Sequence, residues 1–93
     1  MTYPVNLDVA GERVLVVGGG PVAARKAAGL LRAGAAVTVV APDAVPELAN
    51  DPDVRWHQRA YQRGEAASYK LVFTATDDPA VNRQVARDGR AAN

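Results

Sequence analysis

Residues 14–43 read VLVVGGGPVAARKAAGLLRAGAAVTVVAPD, and this stretch decides the fold. It begins with four apolar residues, three of them valine, which are typical of a buried parallel strand. After three glycines, residues 22–32 place apolar side chains at three- and four-residue spacings, as an amphipathic helix does. A second apolar run follows at residues 37–40. The order predicts a strand, a tight turn, a helix that ends at Gly34, and a second strand.

Small residues occupy the turn between the first strand and the helix, in the order Gly18-x-Gly20-x-x-Ala23. Gly18 permits a tight turn, and Gly20 lets the backbone approach a pyrophosphate. Ala23 allows the helix and the strand to pack closely. The helix N-terminus presents unpaired N–H groups and a partial positive charge to an anion. The pattern predicts a dinucleotide site, and the alternative is an ordinary glycine-rich turn without a ligand.

Composition leaves few other kinds of site open. The 93 residues make one small domain, and 11 basic against 10 acidic residues select neither a nucleic acid nor a membrane as partner. The chain has no cysteine, which excludes disulfides, thiolate metal sites and cysteine nucleophiles. No catalytic triad, metal-ligand cluster or carboxylate pair spaced for acid–base chemistry can be assembled, so we predict no catalytic or metal-binding residue. Without a signal peptide or membrane span, a cytoplasmic location is expected.

The rest of the chain continues the alternation of strands and helices. We expect an extended segment at residues 3–9, a helical turn at 46–48, strands at 54–60 and 71–76, and a short connection at 64–68 between these strands. Asp77 or Asp78 should cap a helix that has Pro79 at its first position and ends at Gly89. One further strand should begin at Ala91. Residues 1–93 thus predict an α/β, Rossmann-like dinucleotide-binding domain with a parallel sheet, incomplete at its C-terminus.

Polar residues after two of the predicted strands are candidates for cofactor contacts. Sites for NAD usually have an acidic residue where the second strand ends. Here that position is Ala41, and Asp43 either reaches the ribose or is only a turn aspartate. No arginine follows the strand at once, so NAD is predicted rather than NADP. Thr76 and Asp77 either contact the nicotinamide half or the substrate, or cap the next helix.

Four other side chains have an ordinary structural interpretation. Arg25 and Lys26 lie in the first turns of the helix, where they either help to neutralise a pyrophosphate or form a solvated face. His57 is predicted to be a surface residue on an edge strand. Trp56 is predicted to lie in the core.

Four segments lie in order along nearly the whole length of the chain: residues 3–8 (YPVNLD), 16–26 (VVGGGPVAARK), 33–42 (AGAAVTVVAP) and 75–82 (ATDDPAVN). They resemble the N-terminal domain of siroheme synthase, which also occurs alone as precorrin-2 dehydrogenase, often also a sirohydrochlorin ferrochelatase. The second and fourth segments are specific when they occur together. The resemblance implies oxidation of precorrin-2 to sirohydrochlorin with NAD as hydride acceptor, and in many members insertion of ferrous iron follows.

The resemblance also implies positions for the cofactor, with Pro21 and Val22 in the turn and Pro42 and Asp43 after the second strand lying against NAD. With the residues derived above, the predicted cofactor-binding set is Gly18, Gly19, Gly20, Pro21, Val22, Ala23, Pro42, Asp43, Thr76 and Asp77.

In this family a catalytic aspartate and a dimerisation region follow the position of Asn93. We therefore expect these residues to be the NAD-binding half of a homodimeric enzyme, and expect this piece alone to be inactive. One alternative is an NAD(H)-sensing regulatory module, which commonly has an acidic residue where Ala41 stands. Another is a structural fragment without a ligand.

Overall fold

The computed structural model describes the backbone of residues 8–91 and the side chains of residues 8–89. Most of the extended segment expected over residues 3–9 lies outside this range. At its end Val9 is buried in the core.

Strands and helices alternate along the described chain. In order they are β1 (Arg13–Val17), α1 (Pro21–Arg32), β2 (Ala36–Ala41), α2 (Pro46–Ala49), β3 (Arg55–Gln58), a 3-10 helix (Glu65–Ser68), β4 (Leu71–Thr74) and α3 (Pro79–Ala91). The four strands form one sheet in the order β3-β2-β1-β4, and each neighbouring pair is parallel. This confirms the predicted Rossmann-like α/β class.

The apolar run of β1 is continuous because helices cover both faces of the sheet. Val14 and Val16 pack on one face with α1, whereas Leu15 and Val17 pack on the other with Val85 of α3. These four side chains are at most 2 % exposed. A central parallel strand buried on both faces needs such a run.

The two edge strands are shorter than predicted. β4 ends at Thr74 rather than at residue 76, and its side chains are half-buried or exposed because β1 covers only one of its edges. β3 covers only four residues of the predicted 54–60. Trp56 is half-buried and its Nε1 donates to the Ala41 carbonyl oxygen at 3.0 Å. His57 is also half-buried, not a plain surface residue, because Arg59 packs beside it with Nη2 3.2 Å from its Nδ1.

Of the two glycines predicted to end a helix, Gly34 does so and Gly89 does not. Gly34 follows α1 with a φ of 88°, as predicted for a left-handed helix end. Asp78 caps α3, since its Oδ1 accepts the N–H of Ala80 at 2.9 Å. The prediction that Gly89 ends α3 is wrong, because the helix continues to Ala91. Ala91 therefore does not begin a strand, and residues 92–93 lie outside the described range. One helical glycine costs only about 1 kcal/mol, which neighbouring contacts can offset.

A buried hydrogen-bond cluster, here called the Tyr61–Asp88 clamp, joins the loop after β3 to α3. The Tyr61 hydroxyl donates to Asp88 Oδ2 at 2.5 Å and accepts from the N–H of Ala66 at 3.0 Å. The N–H of Gly64 donates to the same Asp88 oxygen at 2.7 Å, and Gln84 Nε2 donates to Oδ1 at 2.8 Å. Burial, aided by the bond to Asp88, raises the pKa of Tyr61 to about 12. The bond from Tyr61 in turn lowers the pKa of Asp88.

The turn between β1 and α1 is packed against two neighbouring loops. Gly18 has a φ of 134°, and a Cβ there would lie 2.5 Å from the carbonyl oxygen of Ala75. A Cβ on Gly19 would lie 1.9 Å from the carbonyl oxygen of Asp43. The N–H of Val45 also donates to the Gly19 carbonyl at 2.8 Å. Both positions therefore require glycine for steric reasons.

We predict that Gly19→Ala lowers the free energy of unfolding by about 2–3 kcal/mol, because the methyl group forces the β1–α1 turn away from Asp43. The matched control is Gly20→Ala, whose Cβ would meet nothing within 4 Å. This control should cost at most about 1 kcal/mol, the scale of a changed N-cap residue. Urea denaturation of both variants measures the difference, and equal stability would contradict the packing described.

Alkaline titration should remove the stabilisation that the Tyr61 hydroxyl provides. The fold favours the neutral phenol, so its contribution is complete below the ordinary pKa of 10.0 and is lost as the pH rises through about 12. Tyrosinate absorbance should therefore show a transition near pH 12 that Tyr61→Phe removes. Identical titration curves for the two proteins would contradict this account.

Candidate functional site

The carboxyl ends of the four strands open into a cleft of about 700 Å³. Loops after each strand form its walls, and α3 adds Val81. The lining comprises residues 17–22, 40–45, 60–61 and 75–78 together with Val81. Ligands of parallel α/β sheets bind at this edge, and the volume is in the range of small-molecule sites.

The N-terminus of α1 lies at the cleft, which is lined there by Gly20, Pro21 and Val22. Gly20 is the residue before the helix, and the space that a Cβ would take is open. Pro21 has no N–H, so Val22 and Ala23 provide the first amides of the helix, and such amides have no acceptor within a helix. The first turn contains no acidic residue. These features leave the positive end of the helix dipole available to an anion in the cleft.

Asp43 lies in the cleft wall after β2. Its side chain is exposed and makes no hydrogen bond within residues 8–89. Two other aspartates do form the local bonds of turn residues: Asp8 accepts from the N–H of Ala10 and Asp51 from that of Asp53. Asp43 lacks this bond, so the turn interpretation loses its support, and its place in the cleft wall after β2 is where a ribose would bind.

Thr76 and Asp77 lie in the opposite wall, after β4. Thr76 takes part in the start of α3, since its Oγ1 donates to Asn82 Oδ1 at 2.7 Å and its carbonyl accepts from Asn82 Nδ2 at 3.2 Å. Asp78, not Asp77, is the helix cap. The exposed carboxylate of Asp77 makes no hydrogen bond within the described side chains. Contacts at the start of α3 therefore account in part for the presence of Thr76. They do not account for Asp77.

Charge in the cleft is negative. Asp43, Asp77 and Asp78 line it, and no described lysine, arginine or histidine does. Arg25 and Lys26 are exposed on α1 and do not line the cleft. Lys26 Nζ lies 5.1 Å from the centre of the Phe73 ring of β4. Neither side chain is therefore placed for a phosphate contact in the cleft. An anionic ligand must therefore be held by backbone N–H groups and the helix dipole.

Nine of the ten predicted cofactor-binding residues line the cleft. The exception is Ala23, whose side chain is fully buried between α1 and β1, in agreement with its packing role. Their contact with a cofactor stays a prediction.

Sequence reasoning missed the wall formed by Ala60 and Tyr61. In the sequence, the only indication of this wall is that the two residues lie at the end of a predicted strand.

The loop after β3 is fastened by an ion pair outside the cleft. Arg59 donates from Nη1 to Glu65 Oε1 at 2.9 Å and from Nη2 to Oε2 at 2.5 Å. This hydrogen bonding lowers the pKa of Glu65. Within residues 8–91, no group of three or more histidine, aspartate or glutamate side chains could hold a metal ion. No helix in the same range is long and apolar enough to cross a membrane.

Comparison with known proteins gives consistent results. A family model described as "Putative NAD(P)-binding" matches residues 5–93. Siroheme synthase of Pseudoalteromonas atlantica is 40 % identical over 94 residues, which cover 98 % of this chain and 20 % of that protein. Siroheme synthase of Pseudomonas putida (strain W619) is 44 % identical over 91 residues, which cover 95 % of this chain and 20 % of that protein.

A solved structure, that of SirC, a precorrin-2 dehydrogenase, is similar with a TM-score of 0.82 and 38 % sequence identity. The similarity covers 91 % of this chain and 44 % of that one. The chain thus spans about a fifth of the length of the curated relatives it matches.

These similarities confirm the resemblance drawn from the sequence motifs. They also confirm the expected class of cofactor, a nicotinamide adenine dinucleotide. The glycine turn, the open helix N-terminus and the cleft at the carboxyl edge of the sheet are the parts that such a cofactor requires. The chain belongs to the NAD(P)-binding family whose model matches residues 5–93.

Proposed function

We propose that the chain is the NAD-binding part of an enzyme that oxidises precorrin-2 to sirohydrochlorin in siroheme biosynthesis. The observation that carries the proposal is the α1 N-terminus, where Gly20, Pro21 and Val22 line the cleft and the space beside Gly20 is open. The similarity to siroheme synthases and to SirC supports the choice of reaction. This domain assignment covers residues 1–93.

A dinucleotide in the cleft would place its pyrophosphate at the α1 N-terminus and one of its two halves on either side. The N–H groups of Val22 and Ala23 would bind the pyrophosphate beside Gly20. The adenosine half would extend toward β2, where Asp43 accepts hydrogen bonds from the ribose and Pro42 lies alongside. The nicotinamide half would extend toward β4 and the second pair of predicted residues, Thr76 and Asp77. Bound NAD supplies the hydride acceptor for the reaction.

NAD is favoured over NADP by the charge of the cleft. A 2′-phosphate on the adenosine ribose would lie near the Asp43 carboxylate, and no described basic side chain lines the cleft to compensate. The ribose hydroxyls of NAD are instead good donors to a carboxylate.

The residues of this chain bind and orient the cofactor, and we assign none of them a catalytic role. Apolar side chains at the base of the cleft, among them Val17 and Val40, exclude water from beneath the dinucleotide. A homodimer, ferrous iron as a further substrate and a cytoplasmic location remain predictions for the longer protein.

Binding of NADH should depend on Gly20. We expect Gly20→Ala to weaken binding about tenfold, since its methyl group enters the space of the pyrophosphate while the fold is retained. Gly29→Ala is the matched control, because it lies on the same helix outside the cleft and its Cβ would meet only the flexible end of Arg32. Fluorescence titration with NADH measures both. Equal affinity of the two variants would reject the proposed pyrophosphate position.

Cofactor preference should depend on Asp43. We expect Asp43→Asn to reduce the ratio of NAD to NADP affinity about tenfold, equivalent to about 1.4 kcal/mol, because a neutral amide no longer repels a 2′-phosphate. Asp53→Asn, an exposed position outside the cleft, should leave the ratio unchanged. An unchanged ratio in both variants would place the adenosine ribose elsewhere.

The reaction itself is tested with the longer protein that carries this chain. Precorrin-2 and NAD should give sirohydrochlorin and NADH. The absorbance of the reduced nicotinamide measures the reaction. Binding of NADH without any oxidation of the tetrapyrrole would favour a sensing module. Absence of a thermal shift with any dinucleotide would favour a structural fragment.

A further inference from the structure

We propose that Asp88, a residue outside the cleft, positions the Tyr61 ring as the wall against which the adenine of the dinucleotide packs. The inference rests on the dinucleotide binding proposed above and adds a positioning residue to it. It is carried by the Tyr61–Asp88 clamp and by the place of Tyr61 in the sheet order.

Tyr61 lines the cleft from the loop after β3 and packs against the core cluster that contains Val17, Val40 and Val85. It follows β3, and β3 lies next to β2 on the side of the sheet away from β4. A dinucleotide whose pyrophosphate is centred on the β1–α1 turn therefore brings one half toward the loops after β2 and β3. Asp43 and Tyr61 belong to those two loops, and both line the cleft. The planar adenine beyond the ribose is the part of the ligand that would reach Tyr61.

The Tyr61 hydroxyl makes its hydrogen bonds, as donor and as acceptor, with other groups of the protein. It donates its proton to Asp88 and accepts the N–H of Ala66. Tyr61 therefore offers the cleft its ring rather than its hydroxyl. An aromatic ring held in place is suited to pack against a planar aromatic ligand.

Asp88 is well placed to fix that ring. It is only 8 % exposed and does not line the cleft. Its two oxygens accept from Tyr61 and Gly64 of the loop and from Gln84 of α3, so the loop is joined to α3 at one carboxylate. The Arg59–Glu65 pair fastens the same loop independently. Loss of Asp88 should therefore release the Tyr61 ring without unfolding the loop.

The test is calorimetric titration of the chain with NADH and with ADP-ribose, which lacks only the nicotinamide ring of the dinucleotide. Asp88→Ala and Tyr61→Phe should each weaken both ligands about fivefold and to the same degree, since the affected contact lies in the part that both ligands share. Asp88→Asn should restore affinity to within about twofold of the unaltered chain, because the amide oxygen still accepts from Tyr61.

The control for lost stability is Val37→Ala, a buried position at the start of β2 that belongs to the other core cluster and does not line the cleft. It should lower the melting temperature and leave both affinities unchanged. Equal weakening by Val37→Ala, weakening of NADH but not of ADP-ribose, or unchanged affinity in Asp88→Ala would each overturn the inference. If the unaltered chain binds neither ligand, the proposed dinucleotide site itself fails.

Discussion

The rest of the structure depends on one contact: the backbone at two glycines packs against the carbonyl groups of two neighbouring loops. Gly18 lies against Ala75, and Gly19 lies against Asp43, so the turn after β1 is held between the loops after β4 and β2. No side chain can be added at either position without moving a loop. This close packing fixes the start of α1 at the edge of the sheet, beside the cleft.

The electrostatics of the cleft follow from that backbone arrangement. Three aspartates and no described basic side chain line the cleft, so an anion there is attracted only by amides and by the helix dipole. Such groups act over short distances, which makes the position of the turn more important than the net charge of the surface. The same aspartates disfavour an added 2′-phosphate and leave carboxylates for ribose hydroxyls.

Sequence reasoning predicted the central β1–α1–β2 unit nearly to the residue, because burial on both faces gives β1 and β2 continuous apolar runs and because Gly34 ends the helix. It extended β3 and β4 too far, since alternation at an edge strand continues into the loop without any change of composition. It ended α3 at Gly89, although Asp88 is anchored by Tyr61 from 27 residues away. That long-range contact is also why Tyr61 was missed as a wall of the cleft: a pattern of neighbouring residues contains no information on it.

The most direct measurement of the central claim is amide chemical-shift perturbation of the isotope-labelled chain on addition of NADH. The account predicts that the largest shifts belong to the amides of Gly20, Val22 and Ala23, with smaller shifts at Asp43 and Thr76. Largest shifts at Arg25 and Lys26, which do not line the cleft, would contradict the claim that the backbone at the β1–α1 turn binds the pyrophosphate.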